Sequence, residues 1–382
     1  MKEIRFIHCA DIHLDAPFTS LGSEKDKSSE RRQDLKNTFQ RIIDTVKSER
    51  SELLLISGDL FEHSYTAKPV ISFLNSCFRS IPETRVFIVP GNHDPYVTTS
   101  FYKLFEWNSN VTVLSEDKPF CIVDELNTCI YGIGFSSFAK ENNKDLAELK
   151  PADSNLINIL LAHGTVDMNI GDGIYNPMSS NDLAALGMDY VALGHFHNRI
   201  DNIGGRGMIY NPGSPEPLGF DETGEHGIYK GSIVKQDNGD TLLNVNFIRL
   251  NSKCYDIAEI KVDGCGSNEE IASRISQYLE NSDLSKTLLS LTLKGYIENG
   301  FRIDTQSIPL SFKDKIYYLK LKDETGINFN IDQISKEPGL KGLYTRKMLK
   351  RMEDCEDEKE KGILQKALYY GLEALENGKL EI

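Results

Sequence analysis

A chain of 382 residues with 40% hydrophobic and 26% charged residues has room for one large domain and one or two smaller ones, in a composition ordinary for a soluble globular protein. Its formal charge of -14 argues against charge-driven binding of nucleic acid over the whole surface, but leaves room for a local cleft where divalent ions supply positive charge. With no run of about 18 apolar residues a transmembrane helix is not expected. The charged opening MKEIRFIHCADIHLD reads as a strand, not an export signal. Seven scattered cysteines without a close C-x-x-C pair read as free thiols in a reducing, cytoplasmic compartment.

In chain order, IRFIHCA (4–10) is rich in β-formers and ends at Asp11. Leu35, Phe39, Ile42, Ile43 and Val46 keep helical spacing between Arg31 and Glu49. LLLIS (53–57) is a continuous apolar run closing on Gly58-Asp59, the pattern of a strand buried on both faces. A helical stretch over Val70–Phe78 precedes RVFIVP and then GNHD. Strand and helix alternate, which predicts an α/β sheet with helices on its faces. INILLA (157–162) likewise runs into His163-Gly164, and YVALG (190–194) into His195. Open α/β sheets bind ligands just past such strand ends.

After about Leu250 the character changes. CYDIAEIKV, TLLSLTLKGYIE and KIYYLKLKDE read as strands, and Ser267-Asn268-Glu269-Glu270 has the form of a capping box opening a helix to about Leu279. From about Gly339 two helices are expected. The second has Leu364, Leu368, Leu372 and Leu375 on one face and an end signal at Asn377-Gly378. The division expected is 1–250, an α+β module over 251–330 and a helical segment over 331–382.

Five of the eight histidines fall in short polar clusters: Asp11-Ile12-His13, Gly58-Asp59, Gly91-Asn92-His93-Asp94, His163-Gly164 and Gly194-His195-Phe196-His197. On extended chain, two donors separated by one residue point to the same side, so D-x-H and H-x-H can each offer two donors to one region. One such cluster is more often an ordinary turn; five in order, each after an apolar run, point to a metal site. Two divalent ions can lower the pKa of a water between them and clamp phosphate oxygens. A divalent ion held mainly by neutral histidine and asparagine donors keeps residual positive charge, which attracts an anion. Nitrogen and oxygen donors without thiolate suit manganese, iron or zinc.

The set resembles the calcineurin-like metallophosphoesterase superfamily over roughly residues 1–250, and within it the SbcD/YhaO-type bacterial DNA repair exonucleases. The resemblance rests on ADIHLDAPF, SGDLF, VPGNHDP, AHG, LGHFH and the more discriminating YNPGSPEPLGFDE. It implies an α/β fold in which a β-sandwich is flanked by helices, with a small α+β capping domain and a C-terminal helical tail. It implies one metal on Asp11, His13, Asp59 and His197, and a second on Asp59, Asn92, His163 and His195. His93 would face the scissile phosphate, steered by Asp94, with manganese as the working ion. DNA would be the substrate, and C-terminal helices bearing Leu343, Tyr344, Met348 and Met352 would either grip an SMC-like coiled-coil ATPase subunit or pack on the chain itself; a homodimer stays open. A phosphatase or cyclic-nucleotide phosphodiesterase is the alternative enzyme, and a scaffold with a vestigial site the alternative class.

The remaining polar residues have plainer readings. His8 reads as a core residue, His226 as a solvated loop residue and Arg31-Arg32 as a solvated helix start. His63, close after Asp59, is a candidate for substrate contact.

Overall fold

The computed structural model describes residues 2–21, 25–141, 146, 149, 151, 153–167, 175–236, 238–280 and 284–377. Strands Lys2–Cys9 (β1), Leu53–Ser57 (β2), Arg85–Val89 (β3), Val111–Val113 (β4), Gly227–Lys235 (β10) and Thr241–Arg249 (β11) form a six-stranded sheet in the order β11-β10-β1-β2-β3-β4. β1 to β4 run parallel, and β10 pairs antiparallel with both β1 and β11. A second sheet has the order β5-β6-β7-β8-β9, from Phe120–Val123, Thr128–Ile133, Ile157–His163, Tyr190–Gly194 and Ile209–Tyr210. Here only β5 is antiparallel to its neighbour.

The sheets face each other across one apolar layer. Phe6, Leu53, Leu55, Phe87 and Val89 of the first meet Ile130, Ile159, Leu161, Tyr190 and Ala192 of the second. The alternate residues of each strand, Leu54 and Ile56 or Leu160 and Ala162, are equally buried on the other face. That is why β2 and β7 read as unbroken apolar runs. Helices Lys25–Glu49 (α1) and Lys68–Arg79 (α2) bury Leu35, Phe39, Ile42, Ile43, Val46, Ile71, Leu74 and Phe78, with Phe39 and Phe78 in edge contact at 5.8 Å. The fold is therefore α/β, a β-sandwich flanked by helices.

The chain divides into two compact units, Met1–Cys254 and Tyr255–Ile382. In the second, Cys254–Lys261 (β12), Leu284–Lys294 (β13) and Ile316–Asp323 (β15) form a three-stranded sheet, and Tyr296–Glu298 pairs with Gly326–Asn328. The helix Asn268–Tyr278 is capped by Ser267, whose Oγ accepts the Glu270 N–H at 3.2 Å; Glu270 reaches back to the Gly266 N–H at 2.8 Å. Helices Leu340–Glu353 and Glu358–Asn377 share a small core of Phe329, Ile334, Met348, Leu364, Leu368 and Leu372. Leu375, expected on that face, is 40% exposed, as are Leu340, Leu343, Ile363 and Tyr370 to a greater degree. Gly378 of the expected end signal lies outside the described residues. Among the described residues no helix is long and apolar enough to cross a membrane.

Candidate metal centre

Parallel strands of both sheets end at one edge of the sandwich, and each delivers part of a single cluster. β1 leads to Asp11 and His13, β2 to Asp59, β3 to Asn92 and His93, β7 ends on His163, and β8 leads to His195 and His197. The D-x-H segment is not extended as expected. Asp11, His13 and Asp59 have φ of 52°, 48° and 51°, and His195 of 111°. Such conformations cost about 1 kcal/mol or more each, and hydrogen bonds between the two loops hold them: Asp11 N–H to Gly58 O at 3.1 Å and His13 N–H to Asp59 O at 2.9 Å. Gly58, at φ 90°, sits so close to His163 that a Cβ would lie 2.1 Å from its Nδ1.

The donors converge. His13 Nε2 lies 3.1 Å from His197 Nε2 and 3.6 Å from Asp59 Oδ2. His163 Nε2 lies 3.3 Å from Asp59 Oδ2 and 3.1 Å from Asn92 Oδ1. Asp11 shares one group of mutually close ligand atoms with His13 and His197 and another with Asp59 and His163; a third joins His13, Glu62 and His93. The His195 ring is 5.3 Å from that of His163 and lies tilted against Tyr175 at 5.2 Å, while its backbone N–H donates to Asp11. The residues expected as ligands are thus brought near one another, with His195 placed through its ring against His163.

Each of three histidines has its Nδ1 anchored from behind. His13 Nδ1 donates to Glu62 Oε1 at 2.8 Å, His197 Nδ1 to Glu222 Oε1 at 2.7 Å, and His163 Nδ1 to the Ser57 carbonyl at 2.8 Å. Their Nε2 atoms are left as the free donors, the arrangement that orients metal-binding imidazoles. With both Nδ1–H groups committed, the Nε2 lone pairs of His13 and His197 meet head-on and need a cation between them. Burial works against charge on His197, but Glu222 outweighs it and raises the ring to about 10. Burial likewise opposes charge on His163, and Asp59 raises it to about 9. The Asp59 carboxyl, also buried, is lowered by His163 and His13, whereas burial raises Asp11. A divalent ion bound between these rings would take the place of protons on their Nε2 atoms. The donor set fits a divalent metal.

His93 is the exposed histidine of the group, its side chain 45% accessible, and Glu62 Oε2 accepts its Nδ1–H at 3.0 Å. That bond, opposed by burial and aided by Asp59, raises the His93 pKa. Asp94, expected to steer His93, does something else. It is fully buried and takes the N–H groups of Gly91, Asp59 and Leu60 and the Tyr102 hydroxyl, tying the loops after β2 and β3 together. The group that meets His93 is Glu62.

Two other readings change. His226 is 2% exposed rather than solvated. Arg31 is fully buried, donating to Glu216 and Asp34 at 2.7 Å each and to the Pro217 carbonyl. Glu62 and Glu222 were not singled out from the sequence. Their signals were an acid three residues past Asp59 and an acid closing the YNPGSPEPLGFDE segment. His8 is a core residue, bonded to Tyr190 and the Leu193 carbonyl. His63 donates its backbone N–H to the His93 carbonyl and its ring lies 5.7 Å from Phe138, beside the cluster.

A sandwich whose strand ends gather aspartates, an asparagine and histidines around one point is the architecture of a metallophosphoesterase, a hydrolase of phosphoesters. The chain belongs to the calcineurin-like phosphoesterase family, which matches residues 4–199. It is 29% identical over 271 residues to the metallophosphoesterase YhaO of Bacillus subtilis, covering 69% of this chain and 64% of that protein. It is 27% identical over 295 residues to the DNA double-strand break repair protein Mre11 of Methanopyrus kandleri, covering 71% and 62%. Over 275 residues it is 22% identical to one component of the SbcCD nuclease of Staphylococcus epidermidis, covering 65% and 70%. The chain spans a little under two thirds of the length of the first two.

Proposed function

We propose that this protein is a two-metal-dependent DNA exonuclease, with endonuclease action on single strands as the alternative mode, serving DNA repair in the cytoplasm. One ion would be held by Asp11, His13, Asp59 and His197, the other by Asp59, Asn92, His163 and His195, with Asp59 shared. The observation that carries the reading is the set of Nε2 atoms left free by bonded Nδ1 groups and grouped about the Asp59 carboxylate. Nitrogen and oxygen donors without thiolate suit manganese, iron or zinc, and the resemblance to DNA repair exonucleases selects Mn2+ among them. Two such ions supply Lewis-acid clamping of phosphate oxygens and a water of lowered pKa.

The residues around them do the rest. Glu62 holds His93 by Nδ1 and leaves Nε2 for substrate, and the raised pKa of His93 favours the protonated ring. His93 then stabilises charge developing on the phosphate or passes a proton to the departing sugar oxygen. The expectation of excess positive charge at the centre needs adjusting. Glu62 and Glu222 stand directly behind His13 and His197, so two divalent ions are matched by four carboxylates rather than opposed by two. Attraction for a phosphodiester falls to the ion nearest it and to His93.

DNA as substrate is supported by the names of the relatives in Methanopyrus and Staphylococcus and by the YNPGSPEPLGFDE segment. An SMC-like coiled-coil ATPase is the partner we assign to the terminal helices, whose Leu340, Leu343, Ile363 and Tyr370 are exposed. Seven free thiols agree with a reducing compartment. The net charge of -14 favours the second reading, a phosphatase or cyclic-nucleotide phosphodiesterase. Purified protein with Mn2+ should degrade labelled DNA as well as a chromogenic phosphodiester; turnover of the small ester alone would exclude the nuclease. His93→Gln should lower DNA turnover about a hundred- to ten-thousand-fold with manganese content unchanged.

A further inference from the structure

The segment from Asn211 to Glu222 is built around one histidine. Asn211 Nδ2 donates to the carbonyls of Phe196 and Asn198, at 2.7 and 3.1 Å, on either side of His197. The Ser214 N–H donates to the His197 carbonyl at 2.9 Å. Gly213, at φ 74°, passes so close that a Cβ would lie 2.3 Å from that same oxygen. The far end of the segment then returns to the His197 ring, where Glu222 Oε1 takes the Nδ1–H at 2.7 Å.

Glu222 is only 3% exposed, and its second oxygen accepts the Ser214 hydroxyl at 2.6 Å and the Leu218 N–H at 3.1 Å. Ser214 in turn accepts from His226 Nδ1, at 3.0 Å on the hydroxyl and 2.9 Å on the carbonyl. The chain of donors has one direction: His226 to Ser214, Ser214 to Glu222, and His197 to Glu222. A fold needing only glue here would be met by an amide or a hydroxyl, since burying a carboxylate costs several kcal/mol before its partners offset it. A carboxylate behind an imidazole does something those groups do not. It fixes the tautomer and raises the basicity of the opposite nitrogen.

We propose that Glu222, held by Ser214, is a positioning residue of the metal centre that aims His197 Nε2 and thereby holds the ion on the His197 side. The assignment rests on the reading of His197 as a ligand. The test is calorimetric titration of Mn2+ into chelator-stripped protein, with metal content measured separately, for wild type, Glu222→Gln, Ser214→Ala, His197→Ala and the double variant H197A/E222Q. Wild type should bind two equivalents. E222Q should weaken one of them about 10- to 100-fold and leave the other alone, and S214A should weaken the same one by less; the deciding readout is the unequal effect on the two equivalents, because metal-free E222Q also loses the charge that faces His197. In the H197A background, E222Q should have no further effect on metal affinity. Equal weakening of both equivalents, or full additivity with H197A, would make Glu222 a folding residue and overturn the proposal. Unchanged binding in both E222Q and S214A would do the same while leaving the two-ion reading intact. A wild type that binds no manganese would sink that reading itself. Should E222Q not fold, S214A carries the comparison.

Discussion

Glu62 divides its oxygens between His13 at 2.8 Å and His93 at 3.0 Å, so one carboxylate orients both a proposed ligand and the proposed acid. Its pKa is lowered to about 2 because the two histidines outweigh burial. Glutamine offers only one acceptor oxygen, and its amide would meet the second ring N–H as donor against donor. Glu62→Gln should therefore reduce turnover of a chromogenic phosphodiester about 10- to 100-fold and weaken Mn2+ binding, read from steady-state rates across a manganese titration. Wild-type values would remove Glu62 from the site. The donors themselves were legible in the sequence because each is a chemically distinctive residue beside a glycine or another donor at the end of an apolar run. Glu62 and Glu222 were not. An acid acquires that role only by distance, and their histidines lie 49 and 25 residues away.

Among the elements, α1 and the segment after β9 are joined by a buried ion pair. Glu216 accepts from Arg31, Thr38 and Ser252, and Lys253 N–H also donates to it. Arg31 looked like a solvated helix start because nothing local marks its partner, 185 residues on. Removing one member of a buried pair leaves the other's desolvation uncompensated. Glu216→Ala should cost about 3 kcal/mol in urea denaturation, at the low end for such a loss because Asp34 still meets Arg31. A cost near zero would show the pair to be dispensable. The strands, by contrast, were readable because those buried on both faces have no polar alternation to confuse them. The D-x-H turn was misread as extended, since its left-handed residues are held by bonds to a loop nearly 50 residues later.

At the scale of the molecule, each unit has an apolar core of its own. The first is centred on the layer between the two sheets, the second on Ile271, Ile275, Leu289, Leu291 and Leu319. The proposed ligands all belong to the first unit. An ion bound at a hundred times its dissociation constant adds about 2.7 kcal/mol to the stability of the state that binds it. Calorimetric scans with Mn2+ and with chelator should therefore show one transition falling on metal removal and another holding. A single transition moving as a whole would mean that the two units unfold together. The terminal helices share a core built on Met348, Leu364, Leu368 and Leu372 and leave Leu340, Leu343 and Ile363 exposed, so part of their apolar surface packs on the chain itself.

What the sequence determined by itself was the alternation of apolar runs with polar clusters, and hence the α/β class, the family and the seven proposed donors, because periodicity and residue chemistry are local properties. Tertiary structure alone decided which acid stands behind which histidine, that Asp94 ties loops rather than steering His93, and that Arg31 and His226 are buried. Those outcomes depend on contacts between segments far apart in the chain, and no local pattern encodes a distance.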